Sequence, residues 1–188
     1  MESASRDRYS APAQLLHWLT AVLVLIAFLY GPGGSEQRVY SAARDVDRQL
    51  HETLGLAVFA LVVVRVLWRA TGDRPEPPAV ARWMELAGRI VQAALYVLLV
   101  AIPLTAITGA WLEGHPLTLL AGVNVPPPIA ESHALGETIA SVHTWLGDTI
   151  MWVAGFHALA GLYHHFILRD GVLKSMLPRR GLSTRDGA

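Results

Sequence analysis

No charged residue stands between Arg8 and Glu36, and none between Arg89 and Glu113. Uncharged runs of this length are the mark of a membrane protein rather than of a soluble core. At 1.5 Å of rise per residue, roughly 20 apolar residues cross a hydrocarbon core as a helix. Four candidate spans meet that length, about 13–30, 50–69, 88–111 and 136–168. They lack the strict alternation of barrel strands. Composition points the same way, with 53% hydrophobic and only 16% charged residues among 188. The expected fold class is therefore all-α, an integral membrane four-helix bundle. It forms one domain over residues 1–177, followed by a flexible cytoplasmic tail, 178–188.

The first run follows Arg6 and Arg8, as a signal peptide would. No small-x-small cleavage signature follows it, and Tyr30-Gly31-Pro32-Gly33-Gly34 reads as a turn after a permanent span. Residues 31–49 hold a polar, helical stretch, 70–87 open on a turn, and 112–135 form a loop with a short interfacial piece around Asn124-Val125-Pro126-Pro127-Pro128. With the N-terminus inside, twelve of the 15 basic residues fall on the inner side: Arg6, Arg8, Arg65, Arg69, Arg74, Arg82, Arg89, Arg169, Lys174, Arg179, Arg180 and Arg185. Only Arg38, Arg44 and Arg48 fall outside. The positive-inside rule then puts both termini in the cytoplasm. The zero net charge hides this asymmetry, and no phosphate loop or long basic patch points to nucleic acid.

Cysteine is absent, which excludes disulfides, thiolate metal sites and covalent haem attachment, whereas eight histidines are available. Sorted by depth, His51 and His143 lie level near the outer side, and His17 lies near the inner end of the first span. His157 follows His143 by fourteen residues, or about 21 Å of helix, and returns to nearly the same face. Two pairs result, His17 with His157 and His51 with His143. An imidazole from each of two facing helices is what a low-spin b-type haem needs on its two axial positions. Four residues after each histidine, on its own face, stand Ala21, Gly55, Gly147 and Gly161, small enough for a flat macrocycle to lie against the helix. Small residues also serve plain helix packing in membranes, and a single histidine near a span end is more often an interfacial anchor than a ligand.

Other polar residues are less constrained. His164, seven after His157, suits proton transfer, a propionate contact or a quinone site; interfacial anchoring accounts for it equally well. Arg65 and Arg69 suit propionates or lipid headgroups. Arg38, Arg44 and Arg48 offer a positive potential for an anion, or are balanced by Asp45 and Asp47. No role follows for His115, His133 or His165.

The chain resembles the bacterial cytochrome b561 family of dihaem membrane proteins over nearly its whole length. The resemblance runs from Gln14-Leu15-Leu16-His17-Trp18-Leu19-Thr20-Ala21 through His51-Glu52-Thr53-Leu54-Gly55 to His143-Thr144-Trp145-Leu146-Gly147. It continues in Phe156-His157-Ala158-Leu159-Ala160-Gly161-Leu162-Tyr163-His164-His165 and Arg169-Asp170-Gly171-Val172-Leu173. The resemblance implies two noncovalent b haems whose iron ligands match His17, His51, His143 and His157, with Gly55, Gly147 and Gly161 beside them. It implies an oxidoreductase of the stand-alone superoxide oxidase branch, in which periplasmic superoxide gives an electron to ubiquinone and oxygen is released. Arg38, Arg44 and Arg48 would steer the anion and His164 would serve the quinone. The alternative it implies is a haem b subunit that passes electrons between a partner redox enzyme and the quinone pool.

Overall fold

The computed structural model describes residues 8–31, 35–71 and 80–178. Arg6, Arg74, the turn residues 32–34 and 72–79, and the tail from 179 onward lie outside the described residues. Helix α1, Ala11–Tyr30, starts after Ser10 with Pro12 in its first turn, where proline's missing N–H costs nothing. A short helix α2, Glu36–Val39, and a 3-10 turn at Ala42–Arg44 lead into α3, Asp45–Thr71. Asp45 and Asp47 stand in the first turn of α3, where carboxylates complement the helix dipole, so this helix starts five residues before the apolar run. Helix α4, Arg82–Leu112, contains Pro103, and α5, His133–Tyr163, ends in a π-helical turn at His164–Leu168 before the short α6, Val172–Ser175. The 112–135 connection adds a two-stranded antiparallel hairpin, β1 Leu117–Thr118 against β2 Asn124–Val125. Ala121 and Gly122 take positive φ where it turns.

Among the described residues, three helices are long and apolar enough to cross a membrane: Ala11–Tyr30, Ala42–Ala70 and Arg82–Leu112. This corrects the expectation of a transmembrane four-helix bundle. Helix α5 has 31 residues and is not among the three; His143, Asp148 and His157, together with Gly147, Gly155 and Gly161, interrupt its apolar run. The class remains all-α and membrane-associated.

The core is thin. Val62 is fully buried, with Val58, Leu98, Leu112 and Ile150 close behind, whereas Leu15, Val97, Trp145 and Trp152 are exposed. An apolar exterior around a small packed centre is what a chain surrounded by hydrocarbon requires. Helices α4 and α5 approach closely at glycines. A Cβ on Gly109 would lie 3.1 Å from the Ala140 nitrogen, and one on Gly136 would lie 2.7 Å from Glu113 Cγ and 2.9 Å from its nitrogen. Gly136→Ala is therefore expected to destabilise the protein by about 1–3 kcal/mol through overpacking, read as a lower midpoint of thermal unfolding in detergent; an unchanged midpoint would place this contact wrongly.

Hydrogen bonds identify the two ends of the bundle. At one, Tyr9 N–H donates to Ser175 O at 3.1 Å, Gln14 Nε2 to Ser175 O at 3.0 Å and Trp18 Nε1 to Met176 O at 2.8 Å. At the other, the Thr118 N–H donates to Glu52 Oε2 at 2.5 Å and Leu120 N–H to Thr53 Oγ1 at 2.9 Å, fastening the hairpin to α3.

Candidate functional site

The structure brings His17, His51, His143 and His157 together as two pairs. His51 on α3 and His143 on α5 have ring centres 5.9 Å apart with planes at 79°, beneath the hairpin end. His17 on α1 and His157 on α5 have ring centres 6.4 Å apart with planes at 77°, toward the end where α1 meets α6. Two imidazoles on opposite sides of one metal ion, with metal–nitrogen bonds of about 2.0 Å, put their ring centres roughly 6 Å apart.

The outer pair is held from behind by carbonyls. His51 Nδ1 donates to Ala27 O at 2.7 Å, and His143 Nδ1 donates to Ile102 O at 2.9 Å. A proton fixed at Nδ1 leaves Nε2 as the free lone pair of each ring, the arrangement typical of a metal-binding histidine with an oriented tautomer. Between the rings runs an apolar cleft enclosing about 790 Å³, part of it open to solvent, lined by Phe28, Leu99, Pro103 and Ile150 beside the histidines. Gly55 and Gly147 border it, and a Cβ at either position would meet no atom within 4 Å. Donor chemistry, ring spacing and open flanks together fit a haem here. Gly161, near the inner pair, has only Leu173 Cδ1 at 4.0 Å.

Sequence reasoning missed several residues that shape these clefts. The carbonyls of Ala27 and Ile102 carry no side-chain signal, although Pro103 beside the second was a visible irregularity in an apolar helix. Tyr96 is another. Its hydroxyl accepts from Arg65 Nε at 3.1 Å, and its ring lies under the guanidinium groups of Arg65 and Arg69 at 5.5 and 5.8 Å.

The outer arginines divide. Arg44 pairs with Asp47 at 3.0 Å, while Arg48 pairs with Asp45 at 2.5 Å and with Glu52 at 3.0 Å. Arg38 is exposed and makes no ion pair among the described residues. Near them the His115 ring stacks on Tyr40 at 3.5 Å and its Nε2 lies 2.7 Å from Glu36 Oε1. Burial and the neighbouring Glu36 push the Glu113 carboxyl above the usual range, and burial with Glu52 and Glu113 pushes the Tyr40 hydroxyl up. At the other end His164 Nδ1 donates to Asp170 Oδ2 at 2.5 Å, and Val172 N–H to Asp170 Oδ1 at 3.0 Å. Burial opposes ionisation of Asp170, but the hydrogen bond from His164 outweighs it and holds the carboxyl below its usual range. The Nδ1 of His165 is buried and has no hydrogen-bond partner among the described residues.

Comparisons with known proteins agree with this geometry. The family described as prokaryotic cytochrome b561 matches residues 8–179. The chain is 30% identical to cytochrome b561 homolog 2 of Escherichia coli strain K12, over 91% of this chain and 92% of that protein. It is 29% identical to cytochrome b561 homolog 1 of the same strain, covering 93% and 99%. It is 27% identical to the probable superoxide oxidase CybB of Yersinia pestis, covering 92% and 97%. The chain thus belongs to the prokaryotic cytochrome b561 family, as a membrane electron-transfer protein of that type.

Proposed function

We propose that this protein carries electrons through the inner membrane between a redox partner on its outer side and the quinone pool. His17 and His157 would hold one noncovalent haem b and His51 and His143 another; each haem, when bound, supplies reversible one-electron redox chemistry at its iron. The observation that carries this reading is the spacing of the two imidazole pairs, 5.9 and 6.4 Å, at opposite ends of one helix bundle. The carbonyls of Ala27 and Ile102 orient the outer ligands, the apolar walls exclude water, and Gly55, Gly147 and Gly161 leave room for the ring. The end bearing Arg65, Arg69 and Lys174 faces the cytoplasm in this reading.

Reduction of a quinone such as ubiquinone needs protons as well as electrons. As an imidazolium whose Nδ1–H donates to Asp170, His164 would give its Nε2 proton to a quinone oxygen. Its conversion to glutamine is expected to slow quinone-linked haem oxidation by about 100-fold with both haems retained. An unchanged rate would remove His164 from the mechanism. The pH dependence has a definite sign. Because the Asp170 carboxyl is depressed on folding, the contact contributes fully above the ordinary carboxylate range and is lost only as pH falls through the lowered value.

A second reading draws on the likeness to a protein named as a probable superoxide oxidase: superoxide would give one electron at the outer face, leave as oxygen, and ubiquinone would be reduced. Of the three arginines that would attract the anion, Arg44 and Arg48 are already neutralised by Asp47, Asp45 and Glu52. That pairing favours the partner-fed route. Mixing the oxidised protein with superoxide distinguishes the two. Slow haem reduction, insensitive to superoxide dismutase, is expected; fast reduction abolished by that enzyme would establish the second reading instead.

A further inference from the structure

We propose that Glu36, Glu113, His115 and His133 form a divalent transition-metal site of the zinc-binding class at the outer end of the bundle. Ligand atoms of Glu36, Glu113 and His115 all lie within 4.8 Å of one another. Glu36 turns one oxygen to each imidazole, Oε1 at 2.7 Å from His115 Nε2 and Oε2 at 3.2 Å from His133 Nε2. Ligands at about 2.0 Å from a tetrahedral ion lie about 3.3 Å apart, so Glu36, Glu113 and His115 need only small adjustments to close on one, and the exposed His133 ring would swing in as the fourth.

Four donors come from three separate segments: α2, the turn after α4, and the first residue of α5. Two backbone features bring them together. Gly114 takes φ +82 between Glu113 and His115, and the absence of a side chain at Gly136 lets the first turn of α5 pass over Glu113. The His115 ring is also fixed by its stack on Tyr40. Among the described residues no arginine pairs with these carboxylates, and Arg44 and Arg48 engage Asp47, Asp45 and Glu52 instead. Two imidazoles with two carboxylates select zinc and its neighbours over calcium or magnesium, which prefer all-oxygen shells.

The site adjoins the outer cleft through side chains. The Arg48 guanidinium lies 5.2 Å from the centre of the Tyr40 ring and pairs with Glu52, which lines the cleft. A bound ion would therefore clamp together the connections at this end of the bundle.

The test uses the haem-loaded protein in detergent, so that the span histidines are occupied, with zinc as the probe against a chromophoric chelator. One zinc per chain is expected after desalting. Glu36→Gln and His115→Ala should each weaken it by about tenfold or more, with haem absorbance kept and Gln37→Ala unchanged. His133→Gln supplies the same test at a ring that is 64% exposed, where the fold is least affected. Absence of binding, or binding that none of these variants weakens, would overturn the proposal.

Discussion

His143→Ala is expected to leave a folded chain that binds one haem instead of the two proposed above, and so with about half of the b-type absorbance. His51→Ala should remove the same spectral component, because His51 and His143 face each other at 5.9 Å between ring centres. His17→Ala and His157→Ala should remove the other. The pairs are separated along α5 by fourteen residues, about 21 Å, so loss of one haem need not empty the other site. Difference spectra of the four variants, each with its haem content measured, check this. If His51→Ala and His143→Ala depleted different components, the assignment of ligands to pairs would fail even with two haems present.

Gly147→Phe is expected to evict the outer haem while leaving α5 intact. Its sign separates a haem cleft from ordinary slack packing. A Cβ at Gly147 meets nothing within 4 Å, beside a cleft of about 790 Å³ walled by carbon. If that space were merely a packing defect, an aromatic ring would fill it and stabilise the protein, because burying apolar surface is favourable by roughly 25 cal/mol per Å². If the space is where the macrocycle lies, the ring competes with it, and stoichiometry falls from two haems toward one. Haem content and thermal midpoint measured on the same sample decide the matter: a rise in midpoint with two haems retained would sink the cleft assignment.

Much of the architecture was readable because it follows from length and periodicity. Apolar runs fix where helices lie, and a fourteen-residue interval on a helix returns to one face whatever surrounds it, so the two histidine pairs followed from spacing. Apolarity sufficient to cross a membrane was overread for α5, because polar groups such as His143 and His157 interrupt its apolar run. The apolar run from residue 50 marks a span and not the start of α3, which begins at Asp45 because Asp45 and Asp47 complement the helix dipole there.

Other features depend on tertiary contact and leave little trace in the chain. The π-helical turn at His164–Leu168 and the bond from His164 to Asp170 arise where α5 meets α6. The hairpin 117–125 is fastened by Glu52 and Thr53 from a distant helix. His115 and His133 had no assigned role because their partner, Glu36, lies 79 and 97 residues away in sequence. Backbone carbonyls such as those of Ala27 and Ile102 are identical at every position, so only coordinates show which of them face an imidazole.

The central claim is that this chain is a two-haem conduit, and the most direct measurement is the haem-to-protein ratio of the purified native protein, with the ferric spin state read from the same sample. Two noncovalent b haems per chain, both low-spin, are predicted from two trans imidazole pairs. One haem, none, or a high-spin majority would contradict the account.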